Sequence, residues 1–167
     1  MFSIKASEMV GPQGIVVAVE PSPETFMLLK KNVESCPNIH LAKYAIMDKE
    51  GTEKLYYSKA AAANSLILKR SDRYVEVSAI TLDQLMDKLH LSRADFIKID
   101  AEGAELNVLK GATETLRKGT RLVIAAYHTT ENGEQEIGKV EEYLYSAGYT
   151  TQYAKGLRSY ISAEKSI

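Results

Sequence analysis

The sequence predicts an α/β protein, a mostly parallel sheet with helices on both faces. Three observations carry that expectation. Strand-length apolar runs alternate with segments of helical period along the chain, the order that builds parallel sheets. Two of the runs, IVVAVE (15–20) and DFIKID (95–100), are nearly continuous, as in strands buried on both sides. The last two strand-like stretches flank Lys155-Gly156, so a hairpin is expected at the carboxyl end.

The elements follow in order. Residues 2–10 read as a short helix with Phe2, Ala6 and Met9 near one face, stopped by GPQG (11–14). After IVVAVE, the stretch PSPETFMLLKKNVESC reads as a helix with Ser22 as N-cap and Pro23 as its first residue. NIHLAKYAI (38–46) is a second strand, and Asp48-Lys49-Glu50-Gly51 a turn. Thr52–Ser58 and YVEVSAI (74–80) are strands that pair as a small antiparallel insert around a polar loop at 59–73. TLDQLMDKL (81–89) is a short helix capped by Thr81. DFIKID is a buried strand, and one helix runs from Glu102 to Arg117. TRLVIAAYH (120–128) is a strand ending in His128. Residues 133–147 form a helix with Ile137, Val140, Leu144 and Ala147 inward, ended by Gly148.

Size and composition suit one domain spanning 1–167. A chain of this length buries roughly 70% of its unfolded surface and needs no staples. The net charge of −1 supplies no basic field for nucleic acid. Cys36 is alone, which excludes an intrachain disulfide and a cysteine zinc site and is in keeping with a cytoplasmic protein. No apolar run approaches the ~20 residues of a membrane span. MFSIKASEMV has too short an apolar stretch for a signal peptide.

In parallel sheets ligands sit at the carboxyl ends of the strands. Three such ends carry candidate groups: Glu20, Asp100 and His128. An acid at the position of Glu20 can accept both hydroxyls of a nucleoside ribose; the alternative is a solvated acid at a helix N-terminus. Asp100 points to the expected cleft as a base, an orienter of a substrate hydroxyl, or a ligand for a divalent cation. Gly103 would allow close backbone approach. Glu102 and Glu105 fall in or near the first helical turn, where negative charge gains about 0.3–1 kcal/mol, and that reading suffices for Glu105. Tyr56, Tyr57 and Tyr74 on the insert could line a pocket or pack as cross-strand pairs.

The blocks GPQGIVVAVEPSPETFMLLKKN, AKYAIMDKEG, NSL (64–66), VSAITLDQL and FIKIDAEGAELNVLKGA together resemble the FkbM-type family of S-adenosylmethionine (SAM)-dependent methyltransferases. The resemblance runs from Phe2 to about Tyr149. It implies a Rossmann-like class I methyltransferase fold with a final antiparallel hairpin. It also implies SAM as cofactor, S-adenosylhomocysteine as product, and a sugar or other small hydroxylated metabolite as acceptor. By resemblance Glu20 would bind the SAM ribose hydroxyls, and Pro21 and Ser22 would border the adenine. Ala45, Ile46 and Asp48 would complete the adenine pocket, and Asp100 would face methionine or substrate. Asp100, Glu102 and His128 would orient the acceptor or remove its proton; no resident metal is implied.

The sequence departs from the family pattern in one respect. The strand and the loop of the type Asp-x-Gly-Ala-Asn-x-Gly that precede the Phe2 helix have no counterpart. The expectation is a single methyltransferase-like domain lacking its first strand. That leaves unpaired backbone on IVVAVE and favours a homo-oligomer. The rival reading is a degenerate, non-catalytic domain that self-associates or binds a partner. An NAD-dependent dehydrogenase ranks last, since it explains neither the EGAE block nor the closing hairpin.

Overall fold

The computed structural model describes residues 2–58, 64–67, 69, 71–125, 137–154 and 160–165. Helices and strands alternate as expected. Their order is α1 (Phe2–Val10), β1 (Val16–Val19), α2 (Pro23–Asn32), β2 (Ile39–Ala42), β3 (Ala45–Ile46), β4 (Gly51–Tyr56), β5 (Tyr74–Ile80), α3 (Leu82–Lys88), β6 (Phe96–Ile99), α4 (Glu105–Lys110), α5 (Thr113–Arg117), β7 (Arg121–Ala125), α6 (Ile137–Ser146), β8 (Tyr149–Ala154) and β9 (Tyr160–Lys165).

The strands hydrogen-bond in three groups: β1-β2, β3-β5-β4 and β6-β7-β9-β8. The pairs β1–β2, β3–β5 and β6–β7 are parallel, while β4–β5, β7–β9 and β8–β9 are antiparallel. The closing hairpin is therefore present, with β9 lying between β7 and β8. The largest core sits under this group. There Ile99, Leu122, Ile124 and Ile161 meet Val108, Leu109 and Leu116 of α4 and α5, and Val140 and Leu144 of α6. Tyr149 closes it, donating its buried hydroxyl to the Leu116 carbonyl at 2.8 Å. Burial pushes the Tyr149 phenol pKa up.

Three expectations are corrected. NIHLAKYAI is two strands, because Ala45 and Ile46 leave the β1–β2 pair and align with Ala79 and Ile80 of β5. The Glu102–Arg117 helix is a turn followed by two short helices. Gly111 packs against the Met47 carbonyl at the break. Asp83 of α3 then starts α5, accepting the Glu114 and Thr115 N–H groups, both at 2.9 Å, and the Thr115 hydroxyl at 2.7 Å. Finally, β1 and β6 are less buried than their apolar runs suggest: only Ala18 and Ile99 are enclosed. Among the described strands β1 pairs with β2 alone and β6 with β7 alone, so each shows an open edge. Helix α1 packs on β1 and β2, and its Phe2 ring stacks on Phe96 of β6 at 6.5 Å.

Local signals explain the helix starts. Ser22 caps α2, with Pro23 in its first turn. Thr81 and Gln84 form a capping box at α3. The Asp83 cap is a side-chain device between helices rather than within one. Asp83→Ala removes all three of its hydrogen bonds and is expected to cost about 2 kcal/mol. A urea melt checks this; an unchanged midpoint would show that α5 starts without the cap.

Candidate functional site

The carboxyl end of β1 runs directly into the N-terminus of α2. Glu20 follows the last β1 residue and stays beside the end of β2, because its N–H bonds the Ala42 carbonyl at 3.1 Å. Its Oε1 accepts the Ser22 N–H at 2.9 Å. Ser22 is buried, and its Oγ takes the Thr25 N–H at 3.4 Å. Burial pushes the Glu20 carboxyl up, and the Ser22 amide partly opposes this. Two polar atoms are left unspent. Glu20 Oε2 has no hydrogen-bond partner among the described residues, and Thr25 Oγ1 is buried without one. A partly desolvated carboxylate with a spare acceptor suits a ligand that presents hydroxyl groups. On this ground the residues present fit the ribose of SAM. Pro21, between Glu20 and Ser22, contributes no backbone donor.

The residues expected to flank adenine lie after β2. Ala45 is 1% exposed, enclosed by Leu55, Val77, Ala79 and Ala104. Ile46 is half-buried between two core clusters, and Asp48 is exposed. Only Ile46 and Asp48 therefore offer side-chain surface.

The second group stands at the end of β6. Asp100 pairs with Lys98, two residues back on the same strand face, at 2.8 Å. The Lys98 ammonium holds the Asp100 carboxylate in place at the strand end, where it can orient a hydroxyl. After it the chain turns sharply: the Ala104 N–H bonds the Ala101 carbonyl at 3.2 Å. The two central residues, Glu102 and Gly103, have φ of 50° and 101°. Positive φ at both centres is the pattern of a type I′ turn, which Gly, Asn and Asp dominate. A glutamate held there costs about 1–3 kcal/mol. His128 lies outside the described residues.

The family model for the "Methyltransferase FkbM domain" matches residues 2–151. The chain belongs to the FkbM methyltransferase domain family. Hexuronic acid methyltransferase AglP of Haloferax volcanii is 29% identical over 114 residues. That alignment covers 68% of this chain and 47% of AglP. The crystal structure of a methyltransferase FkbM from Methylobacillus flagellatus superposes with a TM-score of 0.59 at 16% identity, over 89% of this chain and 36% of that one. A precorrin-6y C5,15-methyltransferase from Geobacter metallireducens gives 0.55 at 18% identity, over 98% and 74%. The chain thus spans less than half the length of the first two. These likenesses support the Rossmann-like class I methyltransferase fold.

Within this FkbM domain, two residues that organise the Glu102 turn were given no such role from the sequence: Glu105 was read as an acid in a first helical turn, and Ser65 was not weighed by itself. Glu105 is 2% exposed, and its two oxygens accept the Ala101 N–H at 2.9 Å and the Gly103 N–H at 3.0 Å. Its charge serves the turn before α4 as a two-point acceptor, which a helix N-terminal role alone does not describe. The usable signal was its place two residues after Gly103, within reach of a tight turn. Ser65 is wholly buried and donates its hydroxyl to the Glu102 carbonyl at 2.6 Å. It appeared in the sequence only as part of NSL. The Tyr56 and Tyr74 rings meet at a tilt of 60°, with centroids 5.8 Å apart, as a cross-strand pair on the insert.

A groove of about 250 Å³ crosses the β6-β7-β9-β8 group between Phe96, Arg121, Gln152 and Glu164. Phe96 and Arg121 begin their strands, so this groove lies at the wrong end for the FkbM site. Among the described residues no three His, Cys, Asp or Glu side chains group as a metal site, and no helix is long and apolar enough to cross a membrane.

Proposed function

We propose that the chain is a SAM-dependent O-methyltransferase domain acting on a small hydroxylated metabolite, with a sugar acid as the leading acceptor class. The observation that carries the cofactor half is the Glu20 carboxylate, partly desolvated at the end of β1 with one oxygen to spare. The acceptor half is supported by the family and by the similarity to AglP, a hexuronic acid methyltransferase. SAM supplies an electrophilic sulfonium methyl when bound. Glu20 accepts the ribose hydroxyls, Pro21 and Ser22 border the adenine, and Ile46 and Asp48 flank it, with Ala45 shaping that wall from behind. Asp100, fixed by Lys98, orients the acceptor hydroxyl. Glu102 and His128 are the candidates for taking its proton as the oxygen attacks.

Methyl transfer from labelled SAM to glucuronic acid tests this reading. His128→Ala is expected to lower kcat about 10²-fold or more, the usual range for losing a general base, with less effect on S-adenosylhomocysteine affinity. Equal turnover in the variant would remove His128 from the site.

The non-catalytic reading has one observation in its favour: among the described strands, β1 and β6 each keep one edge unpaired. Unpaired strand edges template pairing with another chain, so the 167-residue chain is expected to self-associate. A stable monomer by light scattering at high concentration would contradict that.

A further inference from the structure

We infer that Ser65 and Glu105 are positioning residues that together set the Glu102 turn, and that Ser65 ties this turn to the insert. The functional consequence rests on the acceptor-side role proposed above for Asp100 and Glu102.

The argument starts from the backbone. Glu102 occupies a left-handed conformation at a position where glycine or asparagine is the ordinary choice. Such a conformation persists only where its surroundings over-determine it, and it collects at functional sites. Here three groups do so. Glu105 grips the turn through the N–H groups of Ala101 and Gly103, on either side of Glu102 in the chain. Ser65 grips it through the Glu102 carbonyl. The Ala101–Ala104 bond closes it. Both side chains are buried, so water does not readily replace either one.

Ser65 does more than hold a carbonyl. Its backbone bridges Tyr56 at the end of β4 in both directions, at 2.8 and 3.1 Å. Its hydroxyl oxygen also accepts the Ile67 N–H at 3.1 Å. One residue thus joins the β4 end of the insert, the chain leading away from it, and the turn carrying Glu102. An acceptor that rearranges the insert would move Glu102 through this joint. Ala101 packs against two core clusters at once, which fixes the near end of the turn while Ser65 governs its apex.

The test uses the whole chain with Ser65→Ala and Glu105→Gln. Gln retains one acceptor but presents a donor to the second amide, so one grip is lost at near-constant volume. NMR couplings that report φ at residue 102 give the signature that general destabilisation would not move. The expected result is loss of the positive φ in both variants, S-adenosylhomocysteine affinity within about threefold of the native chain, and methyl transfer to glucuronic acid down at least about tenfold. A positive φ retained in both variants overturns the inference, and so does a changed φ with unchanged transfer. If Glu105→Gln does not fold, Ser65→Ala alone decides. A native chain that binds no S-adenosylhomocysteine sinks the methyltransferase reading instead, and the φ of residue 102 still decides whether these two residues set the turn.

Discussion

Glu20→Gln is expected to lower S-adenosylhomocysteine affinity about a hundredfold while leaving the unliganded chain as stable as before, or more so, at neutral pH. The two effects have opposite signs because the carboxylate is costly until a ligand uses it. Hydrogen bonds to a charged acceptor contribute about 1.5–3 kcal/mol each. Weakening those to two ribose hydroxyls removes about 3 kcal/mol, or two decades of affinity. Without ligand the balance reverses. Burial raises the Glu20 pKa, and the Ser22 amide only partly opposes it. The folded chain thus holds this proton more tightly than the unfolded chain. Its contribution to stability is full below the unfolded pKa and is lost as pH rises through the folded pKa. Glutamine keeps an acceptor for the Ser22 N–H and has no such pH dependence. Calorimetric titration with S-adenosylhomocysteine and melts across the acid range check both halves. Unchanged affinity would place the ribose elsewhere; a melt that loses stability at neutral pH would mean the charge helps the fold.

The second large effect concerns the fold beneath the site. Gly111→Ala is expected to destabilise by about 3 kcal/mol, at the upper end for overpacking, because its new methyl would drive into the Met47 carbonyl. Backbone cannot move aside as a long side chain can. Thr81 Cβ would also lie 3.3 Å from the new atom, and the Asp83 N–H bonds the Gly111 carbonyl at 3.1 Å. Displacing Gly111 therefore disturbs the start of α3, the α4–α5 break and the segment after β3 together. For a chain of this size the melting temperature should fall by about 6–12 °C. Because Asp48 follows Met47, S-adenosylhomocysteine affinity should weaken too. A variant that melts with the native chain would show that the packing at this point is loose.

Much of this was legible in the sequence because its cause was local. Ser22-Pro23 and Thr81 with Gln84 mark helix starts through their own chemistry. Gly148 marks the end of α6, with φ of 80°, and Val140 and Leu144 keep helical spacing toward the core. The strand-end rule brought Glu20 and Asp100 forward. What stayed hidden depended on distant partners. The Glu102–Arg117 segment has the periodicity of one helix, but the Met47 carbonyl and the Asp83 carboxylate break and restart it from other parts of the chain. Ala45-Ile46 continues the preceding strand in composition, yet pairs with β5. The exposure of β1 and β6 follows from which strands lie beside them, and residue type does not encode that. Glu105 resembled any acid in a first helical turn; its two amide partners distinguish it.

The position of β9 has a consequence for how the protein is made. Its residues, 160–165, lie between β7 and β8, and Lys165 reaches back to the Leu116 and Arg117 carbonyls at 3.2 Å. During translation β7 therefore leaves the ribosome some forty residues before the strand that covers its flank. Leu122 and Ile124 face that interval with an unpaired edge beside them. Synthesis runs at about 5–20 residues per second, so the nascent chain carries an unfinished, sticky sheet for seconds. Slow codons between β7 and β9 would be expected to lower the yield of folded protein.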